Sequence, residues 1–256
     1  MKKRNISFLA LAFACTFVTL WSCKKNVLTV SPYEYTEGKA LLKINYSSPY
    51  AKNPAVQIKI NGEKVSSLVT YSTPYPGGGL NTGGNTYADY LSVNAGTNTI
   101  SLSIPKTNST EDSVLLTKTE INLTANEYQT VHFTDTAANT QAVLIKDASS
   151  KPDSGFTQFT FVNLIPNSTA LDLYFGATKV ASNVAYKQAT EPFLLPSGTS
   201  LAWSLRVAGG TATTGTTYTS TSSVANQRVF TVYARGYLGL ATTDVRSAKI
   251  SFAYNK

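Results

Sequence analysis

Side chains able to do chemistry are scarce in this chain. His132 is its single histidine, and Cys15 and Cys23 are its two cysteines. A Ser-His-Asp or Cys-His nucleophile would have to recruit His132. The alternation in Thr130-Val131-His132-Phe133 puts that histidine on a strand, facing solvent or a module edge. So small a set supplies no zinc-type ligand shell. Glu111-Asp112, and Asp147 with Asp153, are the only clustered acids, and neither group has the spacing of a calcium loop. A paired-carboxylate hydrolase would have to draw on 14 acidic residues, most of them in loops or at strand ends. Gly77-Gly78-Gly79 and Gly83-Gly84 precede neither a helix nor a Lys-Ser/Thr pair, so they read as a flexible loop and not a phosphate cradle. The expectation is a protein without catalytic residues, metal or cofactor.

One stretch stands above this background. Between Tyr71 and Tyr90 lie four tyrosines (Tyr71, Tyr75, Tyr87 and Tyr90), two prolines and five glycines. A long loop inside a compact domain is commonly functional. Tyrosine offers a flat apolar face with a polar rim, suited to stacking on sugar rings or packing on a protein. These four residues are the candidate ligand-binding loop.

The elements that must position that loop begin with an address. Met1-Lys2-Lys3-Arg4 is a positive start, and Ile6 to Leu20 is an apolar run shorter than the roughly 20 residues of a membrane span. Leu20-Trp21-Ser22-Cys23 resembles the lipobox of bacterial lipoproteins, in which the cysteine thiol is acylated and the peptide before it is cut. The resemblance implies a signal peptide over 1–22, lipidation at Cys23 and a tether over 23–38. Acyl chains at about 0.8 kcal/mol per buried methylene hold such a protein at a membrane without crossing it. Lys24-Lys25 after the cysteine leans toward the outer membrane of the cell envelope.

The formal charge of +8 does not point to nucleic acid. Three of the 22 basic residues fall in the leader, residues 24–152 carry 11 basic against 10 acidic, and residues 153–256 carry 8 against 4. They are scattered singly, without the dense runs that neutralise phosphates.

After the tether the period is two. Val56, Ile58 and Ile60 share one face of a strand that ends in Asn61-Gly62, a strong hairpin signal. Strands are expected over 40–46, 55–60, 64–70, 87–93, 98–104, 114–123, 128–134 and 141–146. The turn-rich segment 148–155 follows, and then 156–164, 170–175, 178–185, 191–195, 201–207, 217–224, 228–234 and 246–254. No segment sustains a helical period.

The second half reads as a diverged copy of the first. Leu42-Lys43-Ile44-Asn45-Tyr46 matches Phe159-Thr160-Phe161-Val162-Asn163, Ala55 to Ile60 matches Ala170 to Phe175, and Thr130-Val131 matches Thr231-Val232. The expected fold is all-β: two tandem immunoglobulin-like antiparallel β-sandwiches, residues 39–150 and 151–256. Pro54 to Gly62 with Val93 to Thr97, and Ala170 to Gly176 with Leu195 to Thr199, resemble the strand-turn and strand motifs of the domain of unknown function 4397 family. Gln57 departs from the family's usual Asp, which Asp172 keeps in the second copy. The resemblance implies an immunoglobulin-like fold and an extracytoplasmic lipoprotein, and it brings no catalytic residues. The functional expectation is a lipid-anchored, non-catalytic envelope module that binds glycan or protein. The alternative is a structural or assembly subunit of an envelope complex.

Overall fold

The computed structural model describes residues 36–256, which form one compact unit; Cys23 and the leader lie outside the described residues. The fold is all-β. The first copy contributes β1 (Lys39–Tyr46), β2 (Gln57–Ile60), β3 (Glu63–Lys64), β4 (Thr73–Tyr75), β5 (Gly79–Leu80), β6 (Leu91–Asn94), β7 (Gly96–Pro105), β8 (Asp112–Leu123), β9 (Tyr128–Thr134) and β10 (Gln141–Lys146). The second contributes β11 (Phe156–Asn163), β12 (Ala170–Phe175), β13 (Thr178–Ala185), β14 (Phe193–Pro196), β15 (Trp203–Val207), β16 (Thr213–Tyr218), β17 (Val229–Arg235) and β18 (Lys249–Tyr254).

The two copies repeat one topology. In the first, β10-β9-β1 makes a sheet with β4 and β6 also paired to β1, while β3-β2-β7-β8 makes the facing sheet. In the second, β18-β17-β11-β14 and β13-β12-β15-β16 correspond, linked by one residue pair between β16 and β18. The pairings are antiparallel except that β1 runs parallel to β9, β11 parallel to β17, and β16 parallel to β18. Lys43 pairs with Thr130 as Thr160 pairs with Thr231, so the sequence correspondence holds in register.

Alternation explains each core. Ala40, Leu42, Ile44 and Tyr46 of β1 meet Ile58, Ile100, Leu123 and Phe133 in the first. Phe159, Phe161, Leu173, Trp203, Val232 and Phe252 fill the second. Trp203 packs on Phe175 at 4.7 Å and on Phe159 at 5.1 Å between ring centres, and its indole N–H donates to Ser223 Oγ at 3.0 Å.

The other face of β1 and β9 is not solvated. Lys43, Asn45, Thr130, His132 and Thr134 point outward from the first core yet are buried. They meet the equivalent face of the second copy, where Val162, Leu164, Tyr233 and Ala253 pack on Val143 and Ile145 of β10. Turn-rich 148–155 therefore joins two bodies that are packed sheet against sheet, so the middle sheets are covered on both faces.

The glycine-rich stretch is ordered. β5 pairs antiparallel with β18, Leu80 opposite Phe252 and Gly79 opposite Ala253, so a segment of the first copy extends a sheet of the second. The glycines answer to space: a Cβ on Gly79 would lie 1.6 Å from the Phe252 carbonyl oxygen, and one on Gly78 would lie 1.4 Å from that of Asn85. Gly79→Ala is expected to prise this strap from β18, at a cost of about 1–3 kcal/mol, and to speed protease cleavage within 71–90. Unchanged melting and cleavage would show that the pairing carries no weight.

Candidate functional site

The four tyrosines take different places. Tyr71 lies under the Arg235 guanidinium, 4.8 Å from its ring centre, and burial raises the pKa of its hydroxyl. Tyr75 donates its hydroxyl to the Val65 carbonyl at 2.5 Å. Tyr90 turns inward, edge-on to Tyr128 at 5.0 Å, with Lys43 Nζ 4.3 Å from its ring centre. Tyr87 is 65 % exposed and stays open to solvent. Arg235 and Asn81 secure the strap: Asn81 donates to the Ile250 carbonyl at 2.6 Å and accepts from Ser251 Oγ at 2.7 Å and from Arg235 Nη2 at 3.3 Å.

Where the strap meets the second copy there is a cleft of about 250 Å³. Gly79, Leu80 and Thr86 form one wall, and Ser222, Phe230 and Tyr254 face them, with Arg228 at the rim. The Arg228 guanidinium sits 5.1 Å from the Tyr254 ring centre. Aromatic rings, hydroxyls and one cation thus line a cleft in which Thr86 is the chain neighbour of the exposed Tyr87.

A second cluster lies in the seam between the copies. Asp147 is 3 % exposed and accepts from Tyr90 (3.0 Å) and Thr130 (2.5 Å) on Oδ2, and from Thr231 (3.1 Å) and Asn255 Nδ2 (3.4 Å) on Oδ1. Lys43, fully buried, donates to the Tyr254 carbonyl and to Asn255 Oδ1 at 3.4 Å. Burial holds the Lys43 ammonium down to about 8 against the pull of Asp147 and Asp89, and burial raises the Asp147 carboxyl despite Lys43 and its hydroxyl donors. His132 pairs through Nδ1 with Asn45 Nδ2 at 2.9 Å and tilts against Tyr233 at 5.5 Å. It is fully buried in the seam, with its Nε2 left without a hydrogen-bond partner.

Sequence reasoning missed Lys43 and Asn255 and met Asp147 only as a calcium candidate. Asp153 does not join it, and among the described residues no group of three or more His, Cys, Asp or Glu could hold a metal. The available signal was Lys43 in the outward register of a strand whose partner strand carries Thr130, His132 and Thr134. Gln57 and Asp172, at matching positions of the two copies, make different contacts. Gln57 donates to Asp112 Oδ1 at 2.9 Å, bringing a carboxylate from β8, whereas Asp172 itself accepts from Asn183 N at 2.7 Å and from Lys179 at 2.6 Å.

The chain is thus a pair of two-sheet β modules of one topology, docked through equivalent faces. It belongs to the family described as Domain of unknown function (DUF4397), whose model matches residues 40–174 and 157–249. No curated protein matches the chain.

His132 ties stability to pH. Burial, helped by the Lys43 charge, lowers its pKa to about 3, from 6.5 in an unfolded chain. The unfolded state therefore takes up a proton below pH 6.5 that the folded state refuses, and stability falls as pH drops, by up to about 1.4 kcal/mol per pH unit from this group. His132→Gln is expected to flatten the acid limb between pH 6.5 and 3 in denaturant titrations. Identical limbs in variant and parent would refute a neutral buried imidazole.

Proposed function

We propose that this protein is a lipid-anchored module of the bacterial cell envelope, held at the outer membrane through Cys23, that binds an extracellular glycan without chemically changing it. The cleft between strap and second copy carries this reading. Tyr254 supplies a ring, with the exposed Tyr87 next to Thr86 in the chain, Thr86 and Ser222 supply hydroxyls, and Arg228 favours a sugar bearing a carboxylate or sulfate. A reading without catalysis is supported by the one histidine being sealed in the seam. The leader and the tether motif support the address; among the described residues no helix is long and apolar enough to cross a membrane.

A second reading, a subunit of an envelope assembly, is favoured by Phe156 and Leu194. They are 39 % and 50 % exposed, on strands paired at the sheet edge that β14 leaves open.

Two measurements test the first reading. Cell fractionation should find the parent protein with the membrane and Cys23→Ser released from it; a parent found soluble would refute the anchor. On a glycan array, Arg228→Ala and Tyr87→Ala should each weaken binding at least several-fold, most of all for acidic sugars. Retained signal in both variants, or crosslinking to one stoichiometric protein partner with an empty array, would move the reading to the assembly subunit.

A further inference from the structure

Three groups meet in the seam in an order that has a chemical meaning. The Asn255 carboxamide lies between Lys43 and Asp147: its Oδ1 faces Lys43 Nζ at 3.4 Å, and its Nδ2 faces Asp147 Oδ1 at 3.4 Å. All three residues are at most 3 % exposed. A lysine amine and a carboxyl group buried on either side of one carboxamide are the components of an acyl transfer in which ammonia leaves.

We propose that Lys43 and Asn255 join in a self-catalysed isopeptide bond, with Asp147 as the proton carrier, so that the first strand of the first copy is covalently tied to the last residues of the second.

The step balances without any added reagent. Lys43 Nζ gives up a proton and Asp147 takes one up, an exchange across the Asn255 carboxamide that bridges them, leaving a neutral amine and a neutral acid. The Nζ lone pair attacks Asn255 Cγ, and the carbonyl π electrons move to Oδ1. Asp147 gives its proton to Nδ2, the carbonyl re-forms, and the Cγ–Nδ2 bond breaks with its electron pair on nitrogen. Nζ then returns one proton to Asp147, so one ammonia departs and one secondary amide remains. No atom changes oxidation state.

The surroundings suit each stage. The ordinary obstacle to a lysine nucleophile is its positive charge in water; here burial weakens that charge on Lys43 and favours the protonated form of Asp147. Fixed neighbours substitute for a catalyst's concentration of reactants, an effect worth many orders of magnitude in rate when geometry is held. The Lys43–Tyr254 carbonyl hydrogen bond and the Tyr90 ring position the amine, and Thr231 Oγ1, 2.8 Å from Nδ2, orients the leaving nitrogen. Thr130 and Tyr90 hold Asp147 from the opposite side. A groove lined by Leu144, Asp147, Thr160 and Glu191 reaches the seam at the proton carrier and offers ammonia a way out.

The test is mass spectrometry of the purified full chain after denaturation and trypsin digestion. The bond blocks cleavage after Lys43, so the expected product is a branched peptide, Ala40–Lys52 joined to Ile250–Lys256, lighter by about 17 Da (one ammonia) than the sum of its parts. Recovery of only free Ala40–Lys43 and free Ile250–Lys256 would overturn the proposal, as would a branch between Lys43 and Asp147. Lys43→Met must abolish the branched peptide. Asp147→Asn, checked for its β spectrum by circular dichroism, should leave the two peptides free; undiminished branching would remove Asp147 from the chemistry. Because the parent protein decides the main question, a variant that fails to fold does not blunt the test.

Discussion

Everything in this structure depends on how two sheets bury their second faces. A sheet that leaves one face in water can place any polar residue there at little cost, but β1, β9, β11 and β17 have no such face. Each polar atom in the seam then needs a partner within the protein, since an unsatisfied buried group costs several times what a satisfied one gains. Asp147 meets that demand from four donors drawn from both copies, and Asn255 and Thr231 reach it from the C-terminal half. Tyr233, Val162 and Leu164 supply the apolar remainder. The seam is thus a mixed interface of hydrogen-bonded polar groups and apolar contact, in which Asn45 Oδ1 and His132 Nε2 are buried without a partner.

The strap follows from the same demand. β18 would otherwise be open along part of its length, and an unpaired strand invites association with other chains. β5 covers that edge, and Arg235, itself buried, lies against the Tyr71 ring and donates to the Asn81 carbonyl and Ser251 Oγ. The insertion that distinguishes the first copy from the second therefore has a role in joining them, and the cleft beside it exists only because the two have met.

The strands were legible because their cores obey a period of two. Gln141–Lys146, Tyr128–Thr134, Ala170–Phe175 and Thr178–Ala185 fall where alternation puts them. The failures share a cause. Thr, Asn, His and Lys on the outward face of a strand look alike whether water or another sheet lies above them, so alternation reveals neither the seam nor the burial of Lys43. Gly77-Gly78-Gly79 reads locally as slack, whereas the real constraints are the nearness of Phe252 to Gly79, 173 positions along the chain, and of Asn85 to Gly78, 7 positions along. β4 and β5 were missed because they are two or three residues long and pair outside their own neighbourhood. Thr221–Val224 was read as strand from its composition but closes as a 3-10 turn, capped by Ser220 Oγ on Ser222 N at 3.2 Å. The candidate tyrosines stand out by composition, and their partners Arg235 and Asp147 do not, because one lies in the other copy and the other 57 residues away.

His132 and Tyr233 occupy matching positions in the two copies, and they touch each other across the seam. Contact between equivalent residues is the mark of a local dyad, and an isologous junction of that kind uses up the surface that makes it. Head-to-tail repeats can grow by adding units, whereas this pairing is self-limiting: once two copies have met, neither has the same face left to offer a third. Duplication in this chain has therefore produced a closed pair and not the first two links of a filament.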